Sequence, residues 1–427
     1  MTTYHFKTFQ ENKKMAYATF FLAASFYLYE YILQVAPSVM AEPMMKTFHI
    51  TAQGFGVISA FYFYSYAPMQ LPAGVLFDRY GPRKLMTAAL ILCAFGSYFF
   101  ASTDHLVTAA IGRFCIGVGS AFSFVGLLVL ISRWFPPHYF AVLAGVAQAM
   151  SSVGAIFGEM PLATLVGYVG WRYASYLLFI VGIILAALMW AVVRDYPVTP
   201  KKKVVKTKLS DEWRRLIKVC SHWRTWVIGI YAFSIWTPIA VFASLWGVPY
   251  LQQKFGISVI HASGLCTMIW LGIGVGSPAL GWISDYFCSR RLALALSALF
   301  GLVAAIILLY VNNISVFMMS FVLFFYGFGA GGQTVSFAII NETIEDDLLG
   351  TASGFNNLSV LIGGAIFQPL VGVILDKTGH FYKIGNDIIY PTISYQKALL
   401  VLPLCFFVAL FVSVFMLKET HPYSKAC

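Results

Sequence analysis

Gly74-Val75-Leu76-Phe77-Asp78-Arg79-Tyr80-Gly81-Pro82-Arg83-Lys84 is a short charged turn set between two apolar runs, 53–77 and 85–101. Its opening pattern returns as Gly281-Trp282-Ile283-Ser284-Asp285, 207 positions later and again at the end of an apolar run. Pro37 returns as Pro249 at an offset of 212, and Gly145 as Gly354 at an offset of 209. Three pairs at nearly one offset describe a chain built from two related halves.

A helix needs about 20 mostly apolar residues to cross a bilayer. Working outward from the turn, apolar runs of that kind fall at 16–40, 53–77, 85–101, 105–131, 140–166 and 171–193. Six more fall at 226–250, 260–284, 292–311, 314–340, 350–375 and 396–417. Composition agrees: the 427 residues are 59% hydrophobic and 11% charged, with a mean hydropathy of +0.78. Soluble domains carry about 25% charged residues. A soluble enzyme, a nucleic-acid binder and a disordered chain are excluded, and a lipid-embedded, all-α membrane protein of twelve helices is expected. The first run is longer than the approximately 7–15 apolar residues of a cleaved signal, so it reads as a retained span.

One hydrophilic stretch, 194–224, interrupts the runs; it carries Lys201-Lys202-Lys203 and the amphipathic segment Leu209–Cys220. The expected organisation is a six-helix half at 1–193, a basic linker at 194–224 and a second six-helix half at 225–427. Lys and Arg mark the cytoplasmic side of a membrane protein. With the N-terminus inside, 21 of the 28 fall on the cytoplasmic side, while Lys46, Arg172, Lys254, Lys377, Lys383 and Lys397 fall outside. Both termini are therefore expected in the cytoplasm. The net charge of +11 follows membrane sidedness and implies no nucleic-acid partner.

The Gly74–Lys84 turn resembles the signature loop of the major facilitator superfamily, and Gly112-Arg113-x-x-x-Gly117-x-Gly119 resembles its second motif. The resemblance covers the whole chain and implies two halves rocking about a central site, in a monomer of the bacterial inner membrane. Three departures stand out. Pro82 occupies a position that is usually basic, Cys288 replaces a glycine in the second copy, and Gly154-x-x-x-Gly158-x-x-Pro161 only partly matches the antiporter motif.

Charge inside a bilayer is costly, by about 2.5–3.5 kcal/mol even on insertion scales, and marks functional sites. Glu30, Arg113 and Glu159 lie well inside spans 1, 4 and 5, at depths that place them in one layer. Arg113 is expected to neutralise one carboxylate and leave the other to exchange a proton; a buried ion pair bracing the three spans is the alternative. Gln34 follows Glu30 by one helical turn. The second half offers polar and aromatic candidates only: Gln333, Asn356, Asn357 and Gln368, with Trp236 and Tyr326. In Phe61-Tyr62-Phe63-Tyr64-Ser65-Tyr66 only one face, Tyr62 and Tyr66, can look toward a site.

Gating is expected at the cytoplasmic face. By resemblance, Asp78 sits against the start of span 11 near Gly350 and Thr351. The acidic residues Glu342, Glu345, Asp346 and Asp347 approach Arg79, Arg83 and Lys84, and Asp285 is the second-half counterpart of Asp78.

No HExxH, no GxSxG triad and no Walker motif is present, so neither an enzyme nor an ATP-driven pump is expected. Mid-span histidines and CxxC pairs are missing too, so no metal site and no cofactor are expected. The function read from the residues is secondary transport of a small polar organic solute (an organic anion, amino acid or peptide-like molecule) by proton-coupled uptake. Proton-driven efflux of drugs or siderophores is the alternative.

Overall fold

The structure, a computed structural model, describes residues 12–136, 139–197, 209–345, 348–378, 382–384 and 387–420. The Lys201–Lys203 run and the pair Asp346 and Asp347 lie outside the described residues. The N-terminal set of helices is α1 (Lys13–Phe48), α2 (Ala52–Tyr80), α3 (Pro82–Ser102), α4 (Leu106–Trp134), α5 (Val142–Val169) and α6 (Trp171–Val192). A linker helix, Leu209–Ser221, follows. The C-terminal set is α7 (Trp223–Phe255), α8 (Val259–Tyr286), α9 (Arg290–Tyr310), α10 (Val316–Ile340), α11 (Leu349–Lys377) and α12 (Thr392–Met416). Among the described residues ten of these, α3 to α12, are long and apolar enough to cross a membrane. The other two, α1 and α2, are long enough but less apolar, because tyrosines (Tyr27, Tyr29, Tyr31, Tyr62, Tyr64 and Tyr66) interrupt them.

The expected runs and the helices agree within a few residues, with one exception. Helix α1 continues eight residues past its expected end, through Pro37 and Pro43. Proline removes a helical donor, so it usually ends a helix. Here packing against neighbouring helices holds the extension in place. Between α11 and α12 a small hairpin appears, β1 (Tyr382–Ile384) antiparallel to β2 (Asp387–Ile389), pairing Tyr382 with Ile389. Gly385-Asn386 between the strands is a hairpin signal that a search for apolar runs passes over.

Exposure sorts the helices. Only 22% of the apolar window of α6 is buried inside the protein, against 89% of that of α7. Exposed Tyr173, Leu177, Ile180, Ile184 and Leu188 give α6 a lipid-facing surface, whereas α7 lies in the centre. Small residues allow the tightest crossings, as in other membrane bundles. A Cβ on Gly112 would sit 2.7 Å from the Gly96 carbonyl, so α3 and α4 meet backbone to backbone. In the C-terminal set a Cβ on Gly272 would come 2.0 Å from the Phe324 carbonyl and lock α8 against α10 in the same way.

Local irregularities repeat between the sets. Helix α4 breaks at Ala121–Phe122 and α10 at Gly331–Gly332, an offset of 210 that matches the spacing of the sequence pairs. Helix α7 widens to a π-helix over Ile239–Trp246, directly after Pro238. Helix α5 breaks at Glu159, beside Pro161, instead of merely bending there.

Where α2 runs beside α11, the two ends of the pair differ. At the end holding Ala52, a Cβ on Gly56 would lie 2.6 Å from the Gln368 carbonyl, and one on Gly372 would lie 2.4 Å from the Ala52 carbonyl. At the end holding Asp78, a Cβ on Gly74 or Gly350 would meet no described residue within 4 Å, and one on Gly354 would touch the Gln70 carbonyl at 3.8 Å. The α2–α11 crossing is thus tightest at the end holding Ala52 and looser toward the end holding Asp78.

Candidate functional site

Helix α1 presents Glu30, Gln34 and Ser38 at intervals of four residues, which puts all three on one face. All three are buried, and each meets a different neighbour. The Tyr62 hydroxyl of α2 donates to Glu30 Oε1 and lies 3.5 Å from Gln34 Oε1. Gln34 Nε2 points across to α7 and donates to Ser244 Oγ at 3.4 Å. Ser38 Oγ donates to the Glu159 carboxylate at 3.4 Å.

Arg113 of α4 is buried beside this face, with its Cζ 5.1 Å over the Tyr62 ring. Its Nη1 donates to the Leu33 carbonyl at 2.8 Å. That carbonyl is free because residue 37, four positions on, is a proline. No ion pair joins Arg113 to Glu30 or Glu159 among the described residues, which corrects the expected neutralised pair. Tyr62 stands between the opposite charges, giving its hydroxyl to the carboxylate and its ring face to the guanidinium.

The single layer also needs correction. Glu159 meets Ser38, two turns beyond Glu30, so it lies about 12 Å further along α1 at 1.5 Å per residue. The expectation measured Glu30 from Met40, but α1 ends at Phe48, and the extra eight residues account for the displacement. Trp270 of α8 lies against the Glu159 carboxylate and, through a T-shaped contact of 5.9 Å, against Tyr31.

Among the described residues Glu30 Oε2 and Arg113 Nε are buried without a partner at this face, as are Asn356 Oδ1 and Gln368 Oε1 on α11. Buried polar groups are almost always satisfied. The sequence candidates in the C-terminal set divide. Asn356 is buried and holds Ser336 Oγ through Nδ2 at 3.0 Å, leaving Oδ1 free for a ligand. Gln333 starts the second segment of α10, just after the glycine break, and Asn357 is half-buried. Trp236 is buried in α7. Tyr326 does not belong with them. Its hydroxyl donates to the Pro238 carbonyl at 3.0 Å and its ring packs on Phe242 and Phe406, inside the C-terminal set. Tyr27 and Tyr31 were missed as site residues. They stack one turn apart, with Tyr27 also on Phe124, and the i, i+4 spacing shared with Tyr62 and Tyr66 was the available signal.

At the Asp78 end, the Gly74–Lys84 turn is built by its own set. Gly81 takes φ 79°, a left-handed conformation, and a Cβ there would strike the Asp195 carboxylate at 2.6 Å. Asp195 accepts from the Arg83 backbone N–H at 2.8 Å. Pro82 opens α3 at its first position, where a missing N–H costs nothing. Asp78 faces Arg133 at 4.0 Å. Arg79 is exposed with its guanidinium over Tyr80, and the Arg83 side chain is spent on Trp190, 4.2 Å over its ring.

Glu342 does not turn toward Arg79, Arg83 and Lys84 as expected. Arg290 claims it at 2.8 Å while holding Asp285 at 2.6 Å, and Thr420 donates to it as well. The start of α9 reaches these acids within the same set, and the Arg83 guanidinium is already taken by Trp190. Glu345 is exposed.

Apolar helices enclosing a buried polar face, with an apolar outer surface, define an integral multi-pass membrane protein. The profile of the Major Facilitator Superfamily matches residues 15–367 and 238–426, and the chain belongs to that family. It is similar to the hexuronate transporter of Bacillus subtilis (strain 168), at 24% identity over 367 residues, 82% of this chain and 86% of that protein. It is 23% identical over 382 residues to the "Probable galactarate/D-glucarate transporter GarP" of Escherichia coli (strain K12), covering 81% and 84% of the two chains. Among solved structures, a bacterial homologue of the human lysosomal transporter Spinster, inward-facing and unoccupied, superposes with a TM-score of 0.72 at 14% identity, over 93% of this chain and 97% of the other.

Proposed function

We propose that the chain is a secondary transporter that takes up a small organic anion together with a proton, by alternating access. One observation carries the reading: Glu30 Oε2 and Arg113 Nε are both buried without partners, on either side of Tyr62. Charged atoms at membrane depth are costly. A substrate carboxylate at Arg113 and a proton on Glu30 would satisfy both. Relatives named for hexuronate and for galactarate and D-glucarate, all carboxylates bearing hydroxyls, support the anion.

In this reading α1 to α12 are twelve spans in two halves, 1–193 and 225–427, with both termini in the cytoplasm of a bacterial inner membrane and a monomer as the working unit. The Asp78 end then faces the cytoplasm. Asp78 with Arg133, Arg83 with Trp190, and Asp285 with Arg290 and Glu342 are the gating groups on that side.

Purified full-length protein in proteoliposomes tests this. Galacturonate or glucarate should exchange in counterflow and accumulate under an inside-alkaline gradient. Glu30→Gln, which mimics a permanently protonated carboxyl, should keep counterflow and lose accumulation. Accumulation that survives Glu30→Gln would pass the coupling role to Glu159. Counterflow with no carboxylate of this class would remove the substrate reading.

A further inference from the structure

At the end holding Ala52, the first two backbone N–H groups of α2 are taken by residues of the C-terminal set. Gln53 N donates to Asp376 Oδ2 at 3.0 Å, and Ala52 N donates to the Tyr390 hydroxyl at 3.1 Å. Thr51, the N-cap residue, makes no cap bond with its own side chain; its hydroxyl donates instead to Asp376 Oδ2 at 2.6 Å. The Tyr390 hydroxyl donates to Asp376 Oδ1 at 2.5 Å and closes the cluster. A helix leaves its first N–H groups unsatisfied and carries about half a positive charge at that end, which a carboxylate stabilises. The cap of α2 has therefore been moved to another helix: Asp376 stands one residue before the end of α11.

We propose that Asp376 is the latch of the outer gate, with Tyr390 and Thr51 as its positioning partners. The proposal rests on the alternating-access reading above. Opening this end separates α2 from α11, and three of the cluster's four bonds, those of Thr51, Ala52 and Gln53, cross that seam; the Tyr390–Asp376 bond stays within the C-terminal set. A cavity of about 490 Å³ adjoins it, lined by Lys46, His49, Gln253, Tyr390 and Tyr395 among others, so the latch borders a space that solutes can enter. The arrangement is reciprocal. The last turn of α2 carries Asp78 at one end of the pair, and the last turn of α11 carries Asp376 at the other, so each helix brings a carboxylate toward the start of its partner. Here the backbone-to-backbone crossing is at the Asp376 end.

Ser59, 1% exposed on α2 two turns below Thr51, is a reporter of opening. In the full-length protein carrying Ser59→Cys, a membrane-impermeant maleimide is applied from the outside. Asp376→Asn should raise the labelling rate at least about tenfold, or ~1.4 kcal/mol of gate equilibrium. Thr51→Val and Tyr390→Phe should each raise it by less. Glu42→Gln, an exposed carboxylate at the same end tied to Lys46 of its own helix at 2.9 Å, should leave it unchanged. Wild-type labelling in both Asp376→Asn and Tyr390→Phe would make the cluster a static brace and overturn the latch. Should Asp376→Asn fail to reach the membrane, the Thr51 and Tyr390 variants decide alone. Raised labelling in a protein that exchanges no carboxylate would uphold the latch and defeat the substrate reading instead.

Discussion

Arg113 donates at 2.8 Å to the Leu33 carbonyl, the one acceptor in that turn of α1 that Pro37 leaves without a helical partner. A cationic side chain of α4 thus repairs the backbone of α1. The same contact ties the anion-binding candidate to the helix that carries Glu30, so a ligand pulling on the guanidinium also loads α1. In the C-terminal set a comparable repair surrounds the π-helix of α7, where Gln368 Nε2 donates to the Ala240 carbonyl at 2.8 Å and Tyr326 to that of Pro238.

The repair predicts a coupling. Arg113→Ala leaves the buried Leu33 carbonyl unsatisfied, a loss of about 1–3 kcal/mol. In Arg113→Ala/Pro37→Ala the new alanine supplies the helical N–H, and part of that loss should return. Thermal unfolding of the two single variants and the double variant in detergent should give a coupling energy of about 1 kcal/mol. Additive effects would mean that the contact does not serve the proline break. Transport should fail in both Arg113 variants, because neither retains the guanidinium.

Tyr62→Phe separates the hydroxyl of Tyr62 from its ring. The variant keeps the aromatic face under Arg113 and removes the donor to Glu30, leaving that carboxyl without its one direct partner. Bonds to charged acceptors contribute about 1.5–3 kcal/mol. Accumulation under a proton gradient should therefore fall roughly tenfold while counterflow stays near wild type. An equal loss of both would instead assign Tyr62 to substrate contact or to packing.

Most of the fold was legible because its determinants are local. Apolar length fixes each span, and proline and glycine mark the breaks at Pro161, Pro238 and Gly331-Gly332. The site was legible as a list but not as a geometry. Glu30, Gln34 and Arg113 do converge, yet spacing along one helix cannot show that Tyr62 intervenes. Nor could it show that α1 runs on through Pro43, which moved Glu159 to another level. Tyr326 was misplaced because a buried tyrosine in an apolar helix reads the same whether it faces a ligand or a proline carbonyl. Asp376 and Tyr390 escaped notice altogether, since they cap a helix more than 320 positions earlier in the chain.

Asp78 closes the comparison of the two ends of α2. Its carboxylate lies 4.0 Å from Arg133 and is substantially exposed, while a Cβ on Gly350 at the start of α11 would meet no described residue within 4 Å. When this end closes, α11 must approach α2, and the positive start of α11 becomes a second partner for the same carboxylate. Asp78→Asn keeps the size of the side chain and removes its charge, so folding should be nearly unaffected. The closed inner gate should be weakened by about 0.3–1 kcal/mol, the usual range for a carboxylate at a helix start. Cycling should slow several-fold, and a cysteine at Gly354 should label faster from the cytoplasmic side. Arg133→Gln makes the contrast, because it removes the Arg133 contact from Asp78 and should shift labelling the opposite way. A transport rate and a Gly354→Cys labelling rate both unchanged in Asp78→Asn would show that the carboxylate serves Arg133 alone and takes no part in closing the gate.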